Sequence, residues 1–64
     1  MTRQVTDRQG KLIGRIDETS SATLYYTATG RYLGKFFDGK TVDERGVLVG
    51  RGDQGMGLIH DAND

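Results

Sequence analysis

The sequence DRQGKLIGR occupies residues 7–15, TATGRYLGK occupies 27–35, and DERGVLVGR occupies 43–51. All three spell one pattern: Asp or Thr, two variable residues, Gly, a variable residue, two apolar residues, Gly, then a basic residue. The copies start 20 and then 16 residues apart, and each follows a β-former: Thr6, Tyr26 or Val42. The first half is turn chemistry. An Asp at the first turn position accepts hydrogen bonds from backbone N–H groups just ahead of it, and Thr makes the same bond more weakly. Gly at the fourth position takes positive φ without a Cβ clash. Flanked by β-branched and aromatic residues, D-x-x-G marks the tip of a hairpin with a short loop. Helix is disfavoured, because ten glycines are spread along the chain and each costs about 1 kcal/mol inside a helix.

The fold class expected is therefore all-β: three to four antiparallel hairpins in one small domain, residues 1–64. The arms run 3–7 with 11–17, 23–27 with 31–37, and 40–43 with 46–51. Thr19-Ser20-Ser21 and Asp38-Gly39 make the connections. The end of the chain departs from the pattern. It offers a turn at 53–55 and a short apolar strand over 56–59, either a degenerate fourth unit or a strand that closes the array. Residues 61–64 read as a frayed tail. One such hairpin is unstable alone, so each copy must bury a face against another.

Side chains alternate along a strand. One parity carries Leu12, Gly14 and Ile16, then Tyr32, Gly34 and Phe36, then Leu48, Gly50 and Gly52. The other carries Lys11, Ile13 and Arg15, then Arg31, Leu33, Lys35 and Phe37, then Val47, Val49 and Arg51. Strict alternation would leave Ile13, Leu33 and Val49 on a wet face in every copy. Gly14, Gly34 and Gly50 admit two solutions: a bulge that resets the register, or a close approach of packed backbone.

The repeat, ending in VGRGDQ, resembles small bacterial proteins and domains described as a four-fold β-flower, whose hairpins splay like petals about a central pseudo-symmetry axis. The resemblance covers about residues 5–54. It implies no catalytic activity and no established ligand. Only three full copies are legible, so four-fold symmetry is completed either within one chain or between chains.

Composition narrows the function classes. A chain of 64 residues buries only about 60% of the surface its unfolded form exposes, and domains this small lean on disulfides, metals or oligomerisation. There are no cysteines, which removes disulfides and thiolate ligands together. His60 is the one histidine, a poor start for a zinc site. No metal and no cofactor are expected. Self-association is expected, as a homo-oligomer. Nine basic residues balance nine acidic ones, so the chain as a whole has no bulk attraction to a polyanion or membrane. The opening MTRQVTDRQG has no apolar run of a signal peptide, no stretch reaches the roughly 20 apolar residues of a spanning helix, and the lack of Cys suits the cytoplasm.

Several motifs invite functional readings. Arg51-Gly52-Asp53 spells the integrin tripeptide, but the repeat itself accounts for Gly50 and Arg51. GRGDQGMG at 50–57 is glycine-rich but lacks the Lys-Ser/Thr and the helix that a P-loop needs. Lys11, Arg15, Arg31, Lys35 and Arg51 recur at equivalent places in the repeat. They form either a solvated face balanced by Asp17, Glu18, Asp38 and Glu44 or a basic stripe that contacts nucleic acid, with Tyr25, Tyr26 and Tyr32 available for stacking. Phe36 and Phe37 complete the aromatics, read as core of the middle hairpin, a subunit interface, or a stacking patch. Adjacent carboxylates Asp17-Glu18 and Asp43-Glu44 point to opposite faces of a strand and cannot form an acid/base pair. The hydroxyls of Thr19, Ser20 and Ser21 have only His60 as a candidate base. The sequence thus leads to a non-enzymatic interaction or accessory module, with nucleic-acid binding as the alternative.

Overall fold

The computed structural model describes residues 1–63. Six strands form one antiparallel sheet in sequence order: β1 (Thr2–Thr6), β2 (Leu12–Glu18), β3 (Thr23–Thr27), β4 (Tyr32–Phe37), β5 (Lys40–Asp43) and β6 (Leu48–Arg51). One helix, α1 (Gly55–Ala62), follows. The fold is all-β apart from this helix. The three hairpins pair with one another as well as internally, through β2–β3 and β4–β5, so they build a continuous meander.

The repeat gives the same turn three times. Gly10 N–H donates to Asp7 O at 3.1 Å, Gly30 N–H to Thr27 O at 3.0 Å, and Gly46 N–H to Asp43 O at 3.0 Å. The three glycines take φ of +82°, +95° and +80°. This is the three-residue hairpin loop in which a type I turn is followed by a left-handed residue. The side chain at the first position holds the loop. Asp7 Oδ1 accepts from the N–H of Gln9 and Lys11, both at 2.9 Å, and Asp43 Oδ1 accepts from Arg45 and Val47 at 2.9 and 3.0 Å. Thr27 Oγ1 accepts from Arg31 N–H at 3.0 Å.

The two apolar residues after each turn are explained by the register. Val5 pairs with Gly14 and Thr6 with Leu12, leaving Ile13 between them without a partner. Leu33 is skipped between Tyr25–Gly34 and Tyr26–Tyr32, and Val49 between Thr41–Gly50 and Val42–Leu48. Each copy therefore carries a β-bulge at the same place. The extra residue resets the alternation, so Ile13 and Ile16 reach the same core although odd and even positions should diverge. Both are buried, with Tyr25, Leu33 and Ile59.

A close approach is present too, but it is of α1 on that face and not of repeat copies packed around a centre. A Cβ on Gly14 would come within 2.8 Å of Cγ2 of Ile59, and one on Gly34 within 2.8 Å of Cδ1 of Leu58. Gly55, the first residue of α1, sits directly against the ring of Tyr25. Ile59 is 0% exposed. The glycine of each repeat thus forms a shelf, and the first two shelves carry the helix.

The end of the chain corrects the expectations for it. Residues 56–59, expected as a strand, lie in α1, and that helix begins at Gly55, inside the glycine-rich 50–57 segment for which none was expected. Residues 61–62, expected to fray, complete that helix. Asn63 closes it: its Nδ2 donates to Ile13 O at 2.9 Å and to Ile59 O at 2.8 Å. Ile13 is the bulge residue, so Asn63 satisfies a carbonyl that the ladder leaves over. Asp64 lies outside the described residues.

Candidate interaction surfaces

Cross-strand partners share a face, so the register sorts the side chains. The helix-bearing face holds Ile16, Tyr25, Gly34, Phe36 and Thr41. The opposite face carries Arg15 beside Tyr26, and Tyr26 beside Tyr32. It continues with Asp17, Leu24, Lys35, Val42 and Leu48 in one row, and with Phe37, Lys40 and Arg51 in the next. No described element covers this second face.

The five repeat-equivalent basic residues do not form one stripe. Arg15, Lys35 and Arg51 share the open face, whereas Lys11 and Arg31 lie beyond the bulge, at the foot of their turns. Arg31 lines a cleft of about 280 Å³ with Thr27, Leu33, Glu44 and the helix residues Leu58, Asp61 and Ala62. The single parity assumed for the stripe fails because the bulge shifts it by one residue. Lys40 joins the open-face cations instead, through its pairing with Phe37 and Arg51. Lys40 lies outside the nine-residue repeat, so the repeat alone could not nominate it. The ammonium groups of Lys35 and Lys40 sit 4.7 and 5.4 Å from the centre of the Phe37 ring. The rings of Tyr26 and Tyr32 are 5.8 Å apart and tilted. Burial chiefly, then Tyr26 and Glu44, raises the Tyr32 hydroxyl above its ordinary pKa.

Among the described residues the ion pairs are Met1–Asp17 and Arg3–Glu18, at 3.8 and 2.7 Å. None of the four open-face cations is in an ion pair. Asp17, the one carboxylate of the open-face rows, faces the N-terminal amine and also accepts from Thr2 Oγ1. The balancing acids expected across the strands are therefore mostly elsewhere: Glu18 pairs with Arg3, Glu44 lines the cleft, and Asp38 stands in the β4–β5 turn.

A different surface forms at the third repeat. Ile13 and Leu33 are 7% exposed beneath α1, but Val49, their equivalent, is 45% exposed. The helix packs on β2, β3 and β4 and stops short of the third bulge. Val47 stands where the first two copies have Lys11 and Arg31, and is 57% exposed. Leu48 (57%) and Met56 (43%) lie beside it in the chain or at the start of α1. This strand is also an edge of the sheet.

The motifs of the last segment are structural. Tyr25 Oη donates to Asp53 Oδ1 at 2.6 Å, and Asp53 Oδ1 also accepts from Gly55 N–H at 3.0 Å. Burial, with this bond and the Asp53 charge, raises the Tyr25 hydroxyl far above its ordinary pKa. Gly52 N–H donates to Gly39 O at 2.8 Å, and Gly52 O accepts from the buried Thr41 hydroxyl at 2.8 Å. Thr41 Oγ1 in turn accepts from Gln54 N–H at 2.9 Å. The Arg-Gly-Asp sequence is thus the clasp that delivers α1 to the sheet. The Thr19 hydroxyl is used within its own turn, donating to Ala22 O at 2.9 Å, and His60 is exposed in the last turn of the helix. No described helix is long and apolar enough to cross a membrane.

A scan of protein-family models, a search of curated proteins and a search of solved structures each give no match to this chain.

Proposed function

We propose that the protein is a non-enzymatic interaction module of the β-flower kind, acting in a bacterial cytoplasm and self-associating through its third hairpin. One observation carries the reading: the third repeat keeps the apolar bulge residue of the other two but lacks the helix that covers them. Among the described residues, Val49, Val47, Leu48 and Met56 make up four of the five exposed large hydrophobic residues, the other being Met1. They flank an edge strand whose outer N–H and C=O groups are free to pair with another chain. Val47, at the position held by Lys11 and Arg31 in the other copies, leaves out a charge there that would oppose edge-to-edge pairing. A second copy placed there covers the apolar bulge and extends the sheet, which offsets the small core of a chain this short.

Light scattering coupled to size-exclusion chromatography tests it. The expected mass is a multiple of the 7.1 kDa chain. Val47→Lys restores the charge found at Lys11 and Arg31 and should give monomers with an unchanged circular-dichroism spectrum. A wild-type protein that stays monomeric across concentration, or a Val47→Lys oligomer of unaltered mass, would sink the proposal.

A further inference from the structure

The open face of the sheet extends across β2, β3, β4 and β5, beyond the β6 edge proposed for self-association. Its rows hold four cations, Arg15, Lys35, Lys40 and Arg51, against the single carboxylate Asp17. Asp17 is already engaged by the N-terminal amine and Thr2. The same rows hold three aromatic rings, Tyr26, Tyr32 and Phe37, none of them fully buried. A neutral chain has thus been sorted by its fold: this face is cationic, while Asp53 and Asp61 lie with the helix. Among the described residues none of the four cations is in an ion pair.

We propose that this face binds single-stranded nucleic acid, with Arg15, Lys35, Lys40 and Arg51 on the phosphates and Tyr26, Tyr32 and Phe37 stacking on bases. Basic side chains interleaved with aromatic ones are what a flexible polyanion with flat rings requires. A protein partner of acidic surface would satisfy the charges but leave the rings without a role. Duplex DNA would present phosphates but hide its base faces from a sheet. Phe37 is the ring set among the cations: the ammoniums of Lys35 and Lys40 lie over it. Both ammoniums ride on flexible four-carbon stems and move from ring to phosphate when a base stacks. The proposal shares β6 with the third-hairpin contact, through Leu48 and Arg51, while its other three cations and all three rings lie on β2, β3, β4 and β5.

The test is fluorescence anisotropy with a labelled oligothymidylate of about ten nucleotides, titrated with the full chain at roughly 50 and 200 mM salt. Four phosphate contacts at about −0.7 each give a log–log salt slope of about −2.8, a loss of about 50-fold across that range. The double substitution Lys35→Gln/Lys40→Gln should halve the slope. Arg51→Gln, on an exposed edge position, should reduce it by about 0.7 without risk to folding. Phe37→Ala should leave the slope unchanged and weaken binding by about 5- to 150-fold. Circular dichroism and thermal melts establish that each variant is folded. No binding at the lower salt, a slope indifferent to the cation substitutions, or wild-type affinity in folded Phe37→Ala would each overturn the proposal. The last outcome would mark a generic polyanion surface.

Discussion

Two glycines of α1 predict opposite outcomes for the same substitution. In a helix Gly→Ala ordinarily stabilises by about 1 kcal/mol. At Gly57 a Cβ would meet nothing within 4 Å, so Gly57→Ala should realise that gain. For a domain of this size it corresponds to a rise in Tm of about 4–8 °C. At Gly55 a Cβ would fall inside the ring of Tyr25. Tyr25 is 2% exposed and held by Asp53, so it cannot swing aside without losing a hydrogen bond and its packing. Overpacking of this kind costs about 1–3 kcal/mol, and position 55 opens the helix, where the propensity gain is small. A chain of 64 residues has only about 3–10 kcal/mol of stability in total. Gly55→Ala should therefore lower Tm by at least about 4 °C and weaken the helical signal before the sheet melts. Thermal and urea unfolding, followed separately by far-ultraviolet dichroism and tyrosine fluorescence, read both effects. A Gly55→Ala protein as stable as wild type would refute the docking of α1 on Tyr25.

Three further outcomes follow from the turn and the clasp. The N–H of Val47, then that of Arg45, holds the Asp43 carboxyl below its ordinary pKa. Its contribution is complete above the unfolded value of about 3.9 and is lost as pH falls through the lower folded value. Asp43→Ala should flatten stability over that acid window, and urea midpoints measured against pH will show it. Tyr25→Phe removes the hydroxyl bond to Asp53, a bond to a charged acceptor worth about 1.5–3 kcal/mol; chemical denaturation measures the loss. In wild type, a folded-state pKa raised above the unfolded value of about 10 means that Tyr25 favours the fold at lower pH and that this contribution fades as pH climbs past 10. A tyrosinate absorbance titration should show one of the three tyrosines ionising only as the chain unfolds, and Tyr25→Phe should abolish that step.

The turns were legible in the nine-residue pattern because they are local. Asp7, Thr27 and Asp43 bond to backbone two to four residues on, and Gly10, Gly30 and Gly46 supply the left-handed φ that closes the loop. The paired apolar residues before Gly14, Gly34 and Gly50 signalled a bulge or a close approach, and the structure has a bulge in all three copies with the helix close against the first two. The helix was not legible. It is eight residues long with two glycines, shorter than the ~12–15 residues at which an isolated helix becomes stable. Its own propensity could not announce it; it forms because Ile59, Leu58 and Gly55 dock on Gly14, Gly34 and Tyr25. The basic candidates divided for a related reason. A bulge inverts parity beyond it, so Arg15, Lys35 and Arg51 parted from Lys11 and Arg31, and Lys40 entered from outside the repeat. Sequence alone determined the hairpins, since each is written within about ten neighbouring residues. Tertiary structure decided which face α1 covers and which apolar and cationic surfaces stay open, because those depend on contacts between residues some 20–50 positions apart, such as Tyr25 with Asp53 and Ile13 with Asn63.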